Sequence, residues 1–320
     1  MTADPSAPPA RGIPAPAHPQ QRREPLPSQR PKPVEEDPEA ALRVQAIVAS
    51  PSYRRSDQDV EFLETDQLRG VRLQLDYLKA ELLLERHGID RTIVVFGSAR
   101  IGEPAAARRL VEELRSTLAA APGNAEIQQR LRVAESILAK SGYYDVAREF
   151  GRLVSGAKPD AEGRRAVIVT GGGPGLMEAA NRGAQDVGAK TVGFNIALPN
   201  QQFPNPYVSP ELCFSFHYFS ARKLHFLLRA QALVAFPGGY GTFDELFEVL
   251  TLIQTRKIKP LPVVLIGEKY WRRAFDFDFL VNEGVIEPED RELFWFAETA
   301  QEAWDGIQHW HDLCGRMFGA

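Results

Sequence analysis

Three turns rich in glycine and other small residues have the clearest chemical potential in this chain. They are GSAR at 97–100, GGGPG at 171–175 and PGGYGT at 237–242, and each directly follows an apolar run. Glycine lets the backbone approach a ligand closely, and a helix that begins after such a turn presents free N–H groups that favour an anion. A single turn of this kind is often only a connection between a strand and a helix. Three of them at one edge of a sheet would favour a phosphate site.

Two common nucleotide-binding sequences are absent from the chain. A GxGxxG motif that starts at Gly171 would end at Leu176, and no acidic residue lies near Asn195 to hold a ribose hydroxyl. Neither GxxxxGKS nor GxxxxGKT is present. The turns therefore disfavour a hydride-transfer enzyme with a nicotinamide cofactor, and they exclude a P-loop nucleotidase.

Two adjacent cations, Arg222 and Lys223, follow an aromatic-rich run. If Ser220 caps the helix that begins there, both cations lie in its first turn, where the helix dipole disfavours them. A locally unfavourable arrangement often marks a functional site, and Arg222 could hold a phosphate or a ribose through two hydrogen bonds. A cation pair on the surface explains the same residues equally well.

Glu245 also has two interpretations. The sequence TFDE at 242–245 matches a T-x-x-E capping box, so Glu245 could simply cap a helix. Alternatively, its carboxylate lies beside a bound phosphate, near the ribose of a nucleotide. Cleavage of an N-ribosidic bond needs a carboxylate that stabilises an oxocarbenium-like transition state or activates water. The spacing alone does not distinguish these roles.

The elements that must position these residues follow an alternating pattern from residue 91 onwards. The apolar runs that we predict as strands are 92–96, 166–170, 191–196, 212–219, 232–236 and 262–266. Helical patterns lie between them, for example at 176–187 and 243–254. Runs that are apolar on both faces and separated by helices indicate a parallel sheet with helices on both faces. We therefore predict an α/β, doubly wound, Rossmann-like fold, in which ligands bind at the carboxyl ends of the strands.

Composition divides the chain into three segments. Residues 1–55 are predicted as a disordered proline-rich tail, because eleven of the 24 prolines fall between Pro5 and Pro38 and few large apolar residues accompany them. Residues 56–90 are predicted as an N-terminal helix, and residues 91–320 as the nucleotide-binding catalytic domain. Within that domain, 103–155 is too long for one crossover helix and predicts an insertion of two or three helices after the first strand.

The predicted N-terminal helix carries an apolar stripe. Val71, Leu75, Leu78 and Leu82 repeat at helical spacing, and Gly88 provides a stop. We expect this stripe to pack on the core or on another subunit.

Bulk composition excludes several classes of function. The net charge of -4 gives no electrostatic basis for binding nucleic acid or an anionic membrane. The two cysteines, Cys213 and Cys314, have neither the spacing of a zinc site nor that of a disulfide framework. No signal peptide follows Met1, and no run approaches the ~20 apolar residues of a membrane span. We expect a cytoplasmic protein.

Three sequence elements resemble the LOG (Lonely Guy) family of nucleotide phosphoribohydrolases, which is also labelled lysine decarboxylase-like. They are GGGPGLME at 171–178, the pair Arg222-Lys223, and PGGYGTFDE at 237–245, which matches the PGGxGTxxE signature of that family in full. The likeness extends over roughly 91–300. The extra helix before the first strand and the helices after it are similar to the larger bacterial members.

The resemblance implies hydrolysis of a nucleoside 5′-monophosphate to free base and ribose 5-phosphate, without a metal or an organic cofactor. The implied substrates are AMP and N6-modified AMP, including cytokinin riboside monophosphates. The resemblance also implies a homodimer or higher homo-oligomer, and it makes Arg222 and Glu245 the catalytic pair. The residues predicted to bind the substrate are Gly97, Ser98, Gly172, Gly173, Met177, Glu178, Lys223, Pro237, Gly238, Gly239, Tyr240, Gly241 and Thr242.

The chain departs from the smaller family members at two places near the expected base. They read GLMG where this chain has LME at 176–178, and Met-His where it has FSA at 219–221. These departures bear on the preference for cytokinins more than on the reaction. The alternatives are a non-catalytic nucleotide sensor or carrier, against which Arg222 and Glu245 argue, and an oligomeric scaffold. A pyridoxal-dependent decarboxylase is not supported, since Lys223 beside Arg222 is better explained as part of an anion site.

Overall fold

The structure of the chain is a computed structural model, which describes residues 16–22, 24–30, 32–160, 162–199 and 203–315. It divides into two units, Met1–Leu68 and Arg69–Ala320. The smaller unit contains helices α1 (Ala40–Val48) and α2 (Val60–Leu63). Helix α1 lies within the segment predicted as a tail, because that stretch is mostly apolar and has no proline. The first fifteen residues of the tail lie outside the described residues, and its disorder stays a prediction.

The larger unit contains a parallel sheet of seven strands, which confirms the predicted α/β fold. The strands are β1 (Arg91–Phe96), β2 (Ala166–Thr170), β3 (Thr191–Ile196), β4 (Cys213–Phe216), β5 (Ala230–Ala235), β6 (Val263–Ile266) and β7 (Trp295–Ala297). Their order in the sheet is β4-β3-β2-β1-β5-β6-β7. The chain builds one half of the sheet outward from β1 and then returns to build the other half. This reversal beside β1 creates the switch point at which open α/β sheets bind ligands.

Helices cover both faces of the sheet. One face carries α3 (Arg69–Arg86), α8 (Phe219–Leu228), α9 (Tyr240–Gln254), α10 (Glu268–Ala274) and α11 (Phe277–Asn282). The other carries α6 (Gly142–Gly156), α7 (Leu176–Asp186) and α12 (Ala300–Leu313). Along β1, Val94 and Phe96 belong to the first core, whereas Ile93 and Val95 belong to the second. Successive side chains of the strand therefore pack into two different cores, one on each face of the sheet, as a doubly wound fold requires.

The insertion after β1 contains three helices, in agreement with the sequence. Helices α4 (Pro104–Ala120) and α5 (Ala125–Leu138) share a small apolar cluster of their own, whereas α6 packs on the sheet. Helix α6 also approaches α7 very closely, since a Cβ at Gly151 would lie 2.2 Å from the carbonyl oxygen of Ala180. The insertion thus joins the core through α6.

The apolar stripe of the N-terminal helix does not pack on the core. Val71, Leu75, Leu78 and Leu82 are all exposed, and α3 instead packs inward through Ala80 and Leu84. That part of the prediction is wrong, because periodicity reveals an apolar face but not the neighbour that covers it. Among the helices that the structure describes, none has both the length and the apolar character that a membrane crossing requires.

Candidate active site

The three small-residue turns lie at the carboxyl ends of β1, β2 and β5, and residues of the first and third turns line a cavity of about 480 Å³. Its walls are formed by Phe96, Gly97, Ser98, Ala99, Arg100, Met177, Phe219, Arg222, Gly239, Tyr240, Gly241, Thr242, Asp244 and Glu245. Ser98 connects the turns: its N–H donates to the carbonyl of Pro237 at 3.0 Å, and its own carbonyl accepts from Leu176 at 3.1 Å. A larger cavity of about 720 Å³ lies beyond Lys223, but leucines form much of its wall. The chemistry therefore favours the smaller cavity.

The start of helix α9 forms the floor on which an anion can bind. The helix begins at Tyr240 with Gly239 as its N-cap, so the first N–H groups of the helix face the cavity. Gly238 must lack a side chain, because a Cβ there would lie 2.1 Å from Thr242 Oγ1. The Tyr270 hydroxyl donates to the carbonyl of Gly238 and holds the turn from behind.

The positions of the helix starts correct two interpretations of the sequence. Because α9 begins at Tyr240, Thr242 is its third residue and not its N-cap, and the capping-box interpretation of Glu245 is wrong. Helix α8 begins at Phe219 after Tyr218 as N-cap, so Ser220 is not the cap either. Both helices therefore start before the polar residues that resemble their caps, α9 directly after a glycine turn and α8 directly after Tyr218.

Arg222 is held firmly beside the cavity. Its Nε donates to the carbonyl of Phe194 at 2.7 Å, and its guanidinium lies 5.1 Å from the centre of the Phe226 ring. A Cβ at Gly171 would lie 2.7 Å from Arg222 Nη2, so the second turn is glycine partly to make room for this guanidinium. Burial lowers the pKa of Arg222, and the carboxylates of Glu245 and Asp244 oppose that shift. The group remains a cation, fixed in place before any ligand binds.

Glu245 faces Arg222 across the wall of the cavity, with Oε1 3.9 Å from Arg222 Nη1. Its side chain is only 7% exposed. Burial raises the pKa of this carboxyl to about 7, against the opposing effect of Lys223 and Arg222. A carboxyl group with a pKa near neutrality can exchange protons at physiological pH, which is the property of a general acid or base.

Lys223 lies behind this pair and does not line the cavity. Its Nζ is 2.9 Å from Asp244 Oδ2, 2.8 Å from Glu248 Oε2 and 3.7 Å from Glu245 Oε2. The ammonium is therefore surrounded by carboxylates of α9. Its predicted contact with the substrate stays a prediction, whereas its electrostatic effect on Glu245 follows directly from the geometry.

The second turn, at 171–175, is held in place by buried hydrogen bonds. Gly172 has a φ of +67°, its N–H donates to Thr170 Oγ1 at 2.9 Å, and its carbonyl accepts from the N–H of Asn205 at 2.8 Å. The Asn205 amide donates to the carbonyl of Gly173 at 3.0 Å and to Asn181 Oδ1 at 2.9 Å. This buried network fixes the turn, and Gly172 and Gly173 do not line the cavity, so their predicted contact with the substrate stays a prediction.

Glu178 also lies outside the cavity wall. Its Oε1 accepts a hydrogen bond of 2.9 Å from the hydroxyl of Tyr144, on helix α6. Burial raises the pKa of Tyr144, so this phenol stays protonated and donates. Of the residues at the two departures from the smaller family members, Met177 and Phe219 line the cavity.

Two charged residues of the cavity wall were not singled out from the sequence. Arg100, at the end of the first turn, is exposed, and Asp244 precedes Glu245. The sequence pattern could have indicated Arg100, since a cation directly after a small-residue turn can reach an anion bound there. Within the described ranges, no group of three or more His, Cys, Asp or Glu is placed to hold a metal.

The chain is similar to known proteins over part of its length. Residues 177–307 match a family model described as "Possible lysine decarboxylase". The chain is 33% identical over 169 residues to the cytokinin riboside 5′-monophosphate phosphoribohydrolase LOG3 of Arabidopsis thaliana, which covers 51% of this chain and 73% of that relative. The chain belongs to the LOG family. The LOG enzyme of Oryza sativa subsp. japonica, a cytokinin riboside 5′-monophosphate phosphoribohydrolase, is 31% identical to this LOG-family chain over 167 residues, covering 51% of this chain and 65% of the relative.

Solved structures with similarity to this LOG-family chain are more distant. One is the X-ray structure of TM1055, with 19% identity and a TM-score of 0.41, covering 68% of this chain and 99% of the other. Another is a molybdenum cofactor binding protein from Rippkaea orientalis, with 19% identity and a TM-score of 0.39, covering 69% and 96%.

Proposed function

We propose that this LOG-family protein hydrolyses the N-ribosidic bond of a nucleoside 5′-monophosphate and releases the free base and ribose 5-phosphate. The observation that carries the proposal is the buried pair of Arg222 and Glu245, 3.9 Å apart beside a cavity whose floor is the start of α9. The names of the relatives support it, since they are phosphoribohydrolases that act on cytokinin riboside 5′-monophosphates. The family label of a decarboxylase finds no support in the site.

The proposed reaction uses each side of the cavity in turn. The 5′-phosphate binds at the start of α9, which places the ribose towards Glu245. The carboxylate stabilises positive charge that develops on the ribose and accepts a proton from the attacking water. Water oxygen bonds to C1′, the bond from C1′ to the base nitrogen breaks, and the base leaves with that electron pair and takes up a proton. Arg222 orients the nucleotide and offsets its negative charge.

A nucleotide sensor or carrier is the second candidate function. A protein that only binds a phosphate has no need of a buried carboxylate beside it, because the two negative charges repel each other. Glu245 and Asp244 both line the cavity, which disfavours the sensor.

Met177 and Phe219 are apolar residues of the cavity wall and are the proposed contacts of the base. The preference for one base over another is tested by chromatography of the products that the protein forms from AMP, GMP, CMP, UMP and N6-isopentenyl-AMP. We expect release of adenine and of N6-isopentenyladenine. Binding of these nucleotides without release of any base would instead favour the sensor.

We expect Arg100 to give the site its preference for nucleotides over nucleosides. Arg100 lines the cavity and forms no ion pair within the described part of the chain, whereas Arg222 and Lys223 both face carboxylates. Replacing Arg100 by Ala should raise the KM for AMP by roughly 10- to 100-fold with little change in kcat, because a charge-assisted contact to phosphate is lost. Hydrolysis of adenosine, which has no phosphate, should not change.

Arg109→Ala provides the control, since Arg109 is an exposed cation of α4 outside the cavity wall. Equal KM values for AMP in the Arg100 variant and in this control would contradict the assignment.

We also propose that the protein is a homodimer or a higher homo-oligomer in the reducing cytoplasm. The exposed stripe of Val71, Leu75, Leu78 and Leu82 on α3 supports association, and the two free cysteines are consistent with that compartment. Light scattering should give a mass of at least two chains. The mass of one chain would contradict the proposed assembly.

A further inference from the structure

The helix that carries Arg222 is capped by a residue from another helix. Tyr218, the N-cap of α8, makes no capping hydrogen bond with its own side chain. Instead, Oδ2 of Asp76 on α3 accepts hydrogen bonds from the N–H groups of His217 and Tyr218, both at 2.8 Å. The first N–H groups of a helix need such partners, and a carboxylate there also interacts favourably with the helix dipole. Asp76 therefore holds the backbone at the start of α8, where it accepts from the N–H of the N-cap residue Tyr218 and from that of the preceding His217.

The contact between α3 and α8 extends to the other end of α8. Arg229, the C-cap of α8, donates two hydrogen bonds to Glu81, at 2.8 and 2.6 Å. Between the two ends, Ala80 and Leu84 of α3 are buried in the same core as Phe226 of α8. Helix α3 therefore holds α8 at both ends, and Asp76 is the contact at the end that carries Arg222.

The backbone of Tyr218 connects Asp76 to Arg222 through two hydrogen bonds. The N–H of Arg222 donates to the carbonyl of Tyr218 at 3.2 Å, and the N–H of the same Tyr218 is held by Asp76. The orientation of this first turn determines whether the guanidinium reaches the carbonyl of Phe194 and faces Glu245. A small rotation of this turn would break the hydrogen bond to the carbonyl of Phe194 and move the guanidinium away from Glu245.

We propose that Asp76 is a positioning residue for the hydrolysis, which fixes the first turn of α8 and thereby holds Arg222 against Phe194 and Glu245. This inference rests on the proposed function. It assigns a catalytic purpose to α3, which precedes the sheet and supplies no residue to the cavity wall within the described residues.

The test compares Asp76→Ala and Asp76→Asn with Glu81→Ala, which removes the matched contact at the far end of α8. Asp76→Ala should lower kcat for AMP by roughly 10- to 100-fold, because small misplacements of a catalytic group cost that much. KM should change by less than about threefold, since the start of α9 is untouched. Asp76→Asn should recover most of kcat, because its amide oxygen still accepts hydrogen bonds. Glu81→Ala should leave kcat near the wild-type value.

Hydrogen exchange of the amides at 217–228 separates this inference from the proposed function. Faster exchange at His217 and Tyr218 in Asp76→Ala is expected, whether or not any nucleotide is hydrolysed. Unchanged exchange, or a kcat for Asp76→Ala equal to that of Glu81→Ala, would overturn the positioning role. Absence of base release from the wild-type protein would overturn the proposed function, and the exchange data would still decide whether Asp76 is the cap.

Discussion

Replacing Glu245 by Gln is expected to abolish base release and, at the same time, to stabilise the protein at about pH 8. The loss of kcat should be roughly 10³-fold, as is typical when a positioned acid or base is removed. The gain in folding stability arises because Glu245 is buried and its pKa is raised to about 7. Gln occupies the same space without a charge, so it avoids the cost of a buried carboxylate.

The direction of the stability change with pH follows from the raised pKa. The folded protein binds the Glu245 proton more tightly than the unfolded chain, whose carboxyl has a pKa of about 4.3. Folding stability therefore falls as pH rises from about 4 to above 7. Above that range, Glu245→Gln should be more stable than the wild type by on the order of 1–3 kcal/mol. Below about pH 4 the advantage should vanish, because both states are then protonated.

Urea unfolding at about pH 4 and about pH 8 measures this difference. Glu248→Gln is the matched control: Glu248 lies on the same helix and pairs with the same Lys223, but its side chain is 31% exposed. The control should gain no stability at the higher pH. A Glu245→Gln protein that is active, or that is no more stable than the wild type at about pH 8, would contradict the assigned environment of Glu245.

Replacing Arg222 by Ala is expected to lower kcat by roughly 10²- to 10³-fold and to move the pH dependence of the remaining activity upwards. In the wild type, kcat/KM should rise with pH through about 7 as Glu245 of the free protein ionises. Arg222 and Lys223 lower the pKa of Glu245, whereas Glu248 and Asp244 raise it. Removal of one of the two cations should therefore raise the pKa of Glu245 and displace the rising limb to higher pH.

The profile of kcat/KM between about pH 5 and about pH 9 provides the measurement, since it reports groups of the free protein. Arg222→Lys keeps a cation but loses the hydrogen bond from Nε to the carbonyl of Phe194, so it should keep the wild-type limb more closely while still losing kcat. Arg272→Ala, at an exposed ion pair on α10, is the control and should change neither quantity. If activity rises at the same pH in Arg222→Ala as in the wild type, the charge of Arg222 does not affect the pKa of Glu245.

The strands and the turns could be predicted from the sequence because their signals are local. Six apolar runs predicted six strands, and four of these runs end at a glycine or a proline, three of them at the small-residue turns. Strand β7 was missed because Trp295–Ala297 is only three residues long and lacks such an ending. The starts of α8 and α9 were misplaced because polar residues inside a first turn resemble capping residues, and only the backbone distinguishes the two.

The candidate site could be predicted only in part, since its decisive contacts join residues that are distant in the sequence. The turns predicted a phosphate site, but the roles of Arg222 and Glu245 came from the family resemblance. Asp76 lies 141 residues before His217, and no local pattern connects them. Glu178 was predicted at the substrate, and it accepts a hydrogen bond from Tyr144 and is not among the residues that line the cavity.

The most direct test of the central claim is to incubate AMP with the purified protein and to quantify adenine and ribose 5-phosphate by chromatography. The double variant Arg222→Ala, Glu245→Gln is assayed beside it, with AMP binding measured for both proteins. We expect equal amounts of the two products from the wild type and none from the double variant. No product from a wild-type protein that binds AMP, or equal product from both proteins, would contradict hydrolysis by Arg222 and Glu245.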